Sequence, residues 1–178
     1  MVSLHASATA TLREWQPSTA AQESLRQSYL GFLHARDDAC TRECSPGHLT
    51  ASAVVVDAAA EHVLLTLHPR VGRWLQLGGH CEPNDTSLQA AALREAQEES
   101  GIAALTIEPR PIHLDVHPIT CSLGEPTRHF DVRFLVRAPQ DAVPLRSPES
   151  DALDWWPVGA LPPESEDLTE LISAAVHT

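Results

Sequence analysis

The sequence predicts an α/β fold: a sandwich of helices around a mixed β-sheet, with a helical extension at the N-terminus. Three observations carry this expectation. Short apolar runs of strand length recur between turn-forming residues. A longer segment ahead of residue 100 carries helix start and stop signals, and an apolar stripe at helical spacing precedes both.

Residues 1–17 show little pattern. Over 18–36, Leu25, Tyr29, Phe32 and Leu33 recur at i, i+4, i+7 and i+8, which predicts one amphipathic helix. Residues 37–47 read as a linker, with Asp37-Asp38 and Ser45-Pro46-Gly47 as breakers. Strands are predicted over 50–56 and 63–67, then a short third over 73–77 ending at Gly78-Gly79. A helix is predicted over 86–100. Asp85, Thr86 or Ser87 can cap its start. Gly101 sits where a left-handed residue closes a helix, and Ile102 can make the accompanying apolar contact. Segments 112–117 and 130–136 read as a pair of strands joined through 121–127. A strand over 152–156 and a helix over 166–175 follow. The expected organisation is a helical extension over 1–46 and one domain over 47–178.

Composition narrows the classes of function. Apolar residues at 43% suffice for a core, and charged residues at 20% are ordinary. A formal net charge of -12 argues against a nucleic-acid polymer as partner, because neutralising its phosphates takes Lys and Arg. A small phosphorylated ligand stays compatible if a metal ion supplies the positive charge. No apolar run is long enough to span a bilayer, so no membrane partner is expected. Residues 1–10 lack a basic segment followed by an apolar stretch, so no secretory signal is expected. Cysteines at 40, 44, 81 and 121 make no disulfide framework, which points to a reducing, cytoplasmic setting.

The chemistry is concentrated in residues 78–102. On the predicted helix, Glu95, Glu98 and Glu99 stand at i, i+3 and i+4 and share one face, with Cβ atoms about 5–6 Å apart. Like charges at that spacing repel by roughly 0.2–0.5 kcal/mol per pair. Glu98 and Glu99 also lie in the last turn, where the helix dipole disfavours anions by roughly 0.3–1 kcal/mol. Arg94 offsets part of this by pairing with Glu98 at i+4. A cation on that face offsets far more, and hard carboxylate oxygens suit Mg²⁺ or Mn²⁺. Gly78-Gly79 lets backbone approach such an ion, with a carbonyl oxygen as a further ligand. Taken alone, the three glutamates fit a solvated acidic face at least as well. The glycines, Arg94 and Gly101 at matching spacing favour the metal.

Residues 79–102 resemble the Nudix box, Gly-x5-Glu-x7-Arg-Glu-apolar-x-Glu-Glu-x-Gly-apolar. Gly79 matches the first glycine. Arg94, Glu95, Glu98, Glu99, Gly101 and Ile102 match the second half in type and spacing, with Ala96 at the apolar position. The intervening loop has one extra residue, and Asp85 stands where the first glutamate would, so Asp85 or Glu82 is placed to substitute for it. The resemblance implies a Nudix-type α/β/α sandwich over 47–178. It also implies a Mg²⁺- or Mn²⁺-dependent hydrolase cutting a diphosphate linkage in a small nucleoside-diphosphate-type substrate. Glu95, Glu98, Glu99 and the Gly79 carbonyl would be the metal ligands, and Arg94 would orient a glutamate. The metal would polarise the diphosphate oxygens and acidify an attacking water. The proton acceptor would be Glu95, Glu98 or an acid from a later loop, with Glu149 favoured over Asp151. The alternatives are an isomerase on the same scaffold and a non-catalytic nucleotide-binding sensor. The cysteine motif of the first is not found, and a pure binding module has no need of a costly acid cluster.

Two further segments alternate with period two. His113, Asp115 and His117 share one strand face, and so do His129, Asp131 and Arg133. If these strands pair, the joint face becomes a substrate pocket, a second metal site or a wet sheet surface. Arg70 is a candidate for meeting phosphate; Trp74 is a candidate for stacking on a base, though packing is its simpler role. His80 follows Gly79 and is expected beside the metals. Cys40, Cys44 and His48 at four-residue intervals hint at zinc, without an evident fourth ligand. The N-terminal helix offers a surface for a homodimer. Glu98→Gln is expected to lower turnover by orders of magnitude with the fold intact. Undiminished Mg²⁺-dependent turnover of that variant in steady-state kinetics would remove these glutamates from the metal site.

Overall fold

The computed structural model describes residues 2–120, 124, 126–163, 165 and 168–177. Helices α1 (Leu4–Glu14) and α2 (Ala20–Ala35) precede strands β1 (His48–Val56), β2 (His62–His68), β3 (Arg73–Leu75) and β4 (Leu77–His80). Then come helix α3 (Leu88–Ser100), strands β5 (Thr106–Thr120), β6 (Pro126–Arg137) and β7 (Ala152–Pro157), and helix α4 (Thr169–Val176). The connection expected over 121–127 falls partly outside the described residues, as does the expected start of the last helix at Glu166. Among the described residues, no helix is long and apolar enough to cross a membrane.

The strands form one mixed sheet in the order β3-β2-β1-β6-β5, with β4 also paired to β1 and β7 to β2. β1 and β6 run parallel. β1 meets β2 only at Val55–Leu64 and Val56–Val63 and then diverges from it. Residues 73–80 fill the gap. The sequence predicts one strand there; the structure has two, because the segment changes partner at Gln76. β3 pairs with β2, and β4 pairs with β1 from Leu77 to His80. Gly78 makes the second pairing feasible: its φ is 149, and a Cβ would fall 2.6 Å from the Ser52 Cα.

Helix α3 forms where expected. The Ser87 hydroxyl caps it by accepting from the Ala90 N–H at 3.0 Å, and Gly101 closes it with φ 68. Its inner face is Leu88, Ala91, Ala92 and Ala96, all buried. Small side chains let the helix axis lie close to the sheet, which brings the glutamates of its next face up to β4. Alternation along β1 then sorts the layers. Ala51 and Ala53 fall in the clusters that hold α3, while Val54 and Val56 fall in the one that holds Leu171 and Ile172 of α4. By the same alternation, His48, Thr50 and Ser52 continue the Val54 face.

Residues 1–17, without pattern in the sequence, contain α1. Ser3 caps it, and its Ala- and Thr-rich composition gives an apolar stripe too narrow to stand out. Ala8 and Leu12 of α1 and Tyr29 and Leu33 of α2 share one core with Leu49, Leu88, Ala91, Leu114 and Phe134. The buried Tyr29 hydroxyl donates between the carbonyls of Asp115 and Asp131, at 2.6 and 2.9 Å. Phe32 stacks on Phe130 with centroids 4.4 Å apart. Leu12→Ala is expected to cost about 2–5 kcal/mol. Urea denaturation should register this as one destabilised transition of the whole fold; an unchanged midpoint would detach α1 from this core.

Candidate active site

The loop between β4 and α3 has no regular structure and is held by one guanidinium. Arg94 donates from Nε and Nη2 to the two carboxylate oxygens of Asp85, at 3.1 and 3.0 Å. Nη2 also reaches the His80 carbonyl at 3.0 Å, and Nη1 donates to Glu95 at 2.9 Å and Glu98 at 3.0 Å. Asp85 in turn accepts from the Glu82 N–H at 2.7 Å, which pins the loop on itself. Of the two residues placed to substitute for the first box glutamate, Asp85 takes the contact with Arg94. Its side chain is 7% exposed, whereas Glu82 stays at 3.8 Å and is 58% exposed. Hydrogen bonding to Asp85 leads the effects that hold the Arg94 charge fast.

The glycines and glutamates meet across α3 and β4. A Cβ on Gly79 would lie 2.7 Å from the Glu95 carboxyl carbon, so the bare backbone is what admits that carboxylate. Glu99 accepts from the Gly78 N–H at 3.1 Å. Burial raises the pKa of Glu95 against the opposing pull of Arg94, and pushes Glu99 up to about 8. Glu149 adds to both shifts, which places its charge beside this pair. The loop carrying Glu149 is anchored on each side. Leu145 N–H donates to the Ser100 carbonyl at 2.7 Å, and the Thr66 hydroxyl donates to Ser150 at 2.6 Å. Glu98 points outward, 60% exposed, under the hold of Arg94.

The two alternating segments do pair. β5 and β6 set His113 opposite Arg133, Asp115 opposite Asp131 and His117 opposite His129. Asp131 is buried and accepts from Thr50 at 2.9 Å, from Ser52 at 2.7 Å and from Arg133 at 2.9 Å, with Gln76 at 3.3 Å. Burial opposes its charge, but Arg133 and Ser52 prevail and its pKa is lowered. Arg133 also pairs with Asp115 at 3.1 Å, and Asp115 accepts from His117 Nδ1 at 2.7 Å. His113 is buried against Gln22, whose Nε2 lies 3.0 Å from its Nε2. Sequence reasoning missed Thr50, Ser52 and Gln76. The available signal was the polar series His48, Thr50, Ser52 at every second place of an otherwise Ala- and Val-rich strand.

The remaining candidates are Arg70, Trp74 and His80. Arg70 is exposed in the turn between β2 and β3. Trp74 meets Trp156 edge-on at 5.3 Å and packs against the α4 cluster. His80 projects its ring toward His48 and His129, with centroids 5.0 Å away in each case. Burial, then nearby cations, pull its pKa down to about 3, and burial pulls His129 down to about 4. The zinc hint from Cys40 and Cys44 dissolves: Cys40 joins the apolar core, and His48 turns to the other two histidines.

A model of the NUDIX domain matches residues 46–174. A NUDIX-family hydrolase from Clostridium perfringens is 24% identical, with 72% of this chain and 95% of that chain covered and a TM-score of 0.56. The E. coli dihydroneopterin triphosphate pyrophosphohydrolase is 19% identical over 73% of this chain and 96% of its own, with a TM-score of 0.56. The C. elegans Ap4A hydrolase in a binary complex is 21% identical over 71% of this chain and 91% of its own, with a TM-score of 0.50. None of the curated proteins matches this chain. At these identities the solved structures speak for the fold, and the domain match decides the family, since it spans most of the chain and encloses the box. The chain belongs to the Nudix family, as a Nudix-type hydrolase of pyrophosphate bonds.

Proposed function

We propose that the chain hydrolyses a diphosphate linkage in a small nucleoside-diphosphate-type substrate, with Mg²⁺ or Mn²⁺ held on α3. The observation that carries this reading is the burial of Glu95 and Glu99 against the Gly78-Gly79 backbone, with pKa values raised by desolvation. Arg94 is shared among three carboxylates, and among the described residues no cation pairs with Glu99. Part-buried carboxyls whose charged form is disfavoured by desolvation are what a hard dication with oxygen preference would stabilise as carboxylates. Glu95, Glu98, Glu99 and the Gly79 carbonyl would hold it. When bound there, the ion supplies polarisation of the diphosphate oxygens and a more acidic attacking water.

The chain's own residues do the rest. Arg94 keeps Glu95 and Glu98 oriented through charge-assisted bonds. Glu149, on its doubly anchored loop, takes the proton of the attacking water. The part-exposed Asp115 and His117 face the organic end of the substrate, with His113 buried behind them, and Arg70 meets phosphate at the rim. A small phosphoanhydride substrate is supported by two proteins of similar fold, one named for Ap4A, a dinucleotide, and one for the pterin dihydroneopterin triphosphate. The test is phosphate release from a panel of nucleotide sugars, dinucleoside polyphosphates, NADH, ADP-ribose and oxidised nucleotides. Activity on at least one member is expected, abolished by EDTA and restored by Mg²⁺ or Mn²⁺. Turnover that persists after chelation would overturn the metal reading.

A pH dependence follows from Glu99. Its carboxyl holds a proton up to about pH 8 in the metal-free fold, against an ordinary value of 4.5. The stability this contributes is complete below the ordinary value and is lost as pH rises through the folded one. Metal-free protein is therefore expected to lose thermal stability as pH rises from about 5 to about 8. Glu99→Gln, which cannot ionise, should flatten that slope. Calorimetry in buffers of different ionisation enthalpy should also show Mg²⁺ releasing protons near pH 7 from the wild type and fewer from the variant.

A further inference from the structure

We propose that His48, His80 and His129 form a second metal site, of different chemistry from the glutamates, that takes a borderline transition ion such as Zn²⁺. Three neighbouring strands supply one imidazole each. β4 places His80 opposite Thr50 of β1, and β6 places His129 opposite His48. The three ring centroids are mutually 5.0 Å apart. Among the described residues this is the only group of three His, Cys, Asp or Glu whose ligand atoms all lie within 4.8 Å of one another.

The hydrogen bonding favours a ligand. The Nε2 atoms of His48 and His129 are buried and find no hydrogen-bond partner among the described residues. Buried polar atoms are nearly always paired, so two such nitrogens on neighbouring rings of this group are costly unless something binds them. His48 Nδ1 faces the Cys44 carbonyl at 3.5 Å, an arrangement that leaves Nε2 as the lone-pair nitrogen. His117, in the same row with its ring 5.4 Å from His129, has its Nδ1 on the Asp115 carboxylate. Carboxylate or carbonyl support behind an imidazole is the usual way a metal-binding histidine is aimed.

The donor set selects the ion. Neutral imidazoles suit Zn²⁺, with Zn–N distances of about 2.0–2.1 Å, whereas Mg²⁺ keeps to oxygen. Three protein ligands leave the fourth tetrahedral position to water or to a ligand oxygen. Arg42 donates to His80 Nδ1 at 2.9 Å. That residue is exposed on the loop ahead of β1, so it can withdraw when an ion claims the ring.

The test is a cobalt titration of the metal-stripped full chain in excess Mg²⁺, which saturates the carboxylate site. An intense visible absorption of four-coordinate Co²⁺ is expected, displaced by an equivalent of Zn²⁺. His129→Asn and His80→Gln should each weaken binding by at least the roughly 10–100-fold that loss of a supporting partner costs. A visible band that Mg²⁺ suppresses, or that survives both histidine substitutions in folded protein, would overturn the proposal. Should those variants not fold, an anomalous difference map at the zinc edge from wild-type crystals soaked in zinc decides. A peak among the three rings supports the site; peaks only at the glutamates, or none, reject it.

Discussion

Arg94 is the interaction on which the rest of this site depends. The loop after β4 has no ladder to hold it, and α3 carries its acids on the side that faces the loop. One planar fork joins them: two bonds to Asp85, one to the His80 carbonyl, one each to Glu95 and Glu98. The pairing with exposed Glu98 contributes little stability by itself. The contacts to the nearly buried Asp85 and Glu95 matter more, because removing the guanidinium would leave carboxylates out of water with no partner. A lysine could not replace it, since a single ammonium cannot reproduce the two parallel bonds to Asp85.

Two acidic clusters in adjacent strands and helices meet burial in opposite ways. Asp131 is the more deeply buried, yet its charge is sustained by Arg133 and by the Thr50 and Ser52 hydroxyls. That network is complete in itself and reads as architecture. Glu95 and Glu99 have one shared guanidinium and one glycine amide between them, and burial wins. The contrast explains why a hard, oxygen-preferring dication would belong with the acids of α3 rather than with Asp131. The count of acids is similar in both; the number of donors facing them is not.

Much of this arrangement was legible in the sequence because it is written at short range. The capping of α3 by Ser87 and its closure by Gly101 follow from local rules, and so does the shared face of Glu95, Glu98 and Glu99. The period-two series of β5 and β6 foretold which residues would meet once the strands paired. What escaped was set by distant partners. Helix α1 is stabilised by a core it shares with β6 and α3, not by a stripe of its own. The break at Gln76 exists because β1 and β2 splay apart, which no property of residues 73–80 announces. His48 sits four residues from Cys44 in the chain, which suggested the wrong neighbours. Its companions are set by the parallel register of β1 with β6 and the antiparallel register with β4.

His80 belongs to both halves of the molecule's chemistry. Its carbonyl is held by Arg94, and its ring stands with His48 and His129. A displacement of that one peptide is felt by the guanidinium on one side and by the imidazoles on the other. Were both ends to hold an ion, thermodynamic reciprocity would make any coupling between them equal in both directions. A short strand paired over four residues thus joins an oxygen-lined to a nitrogen-lined pole.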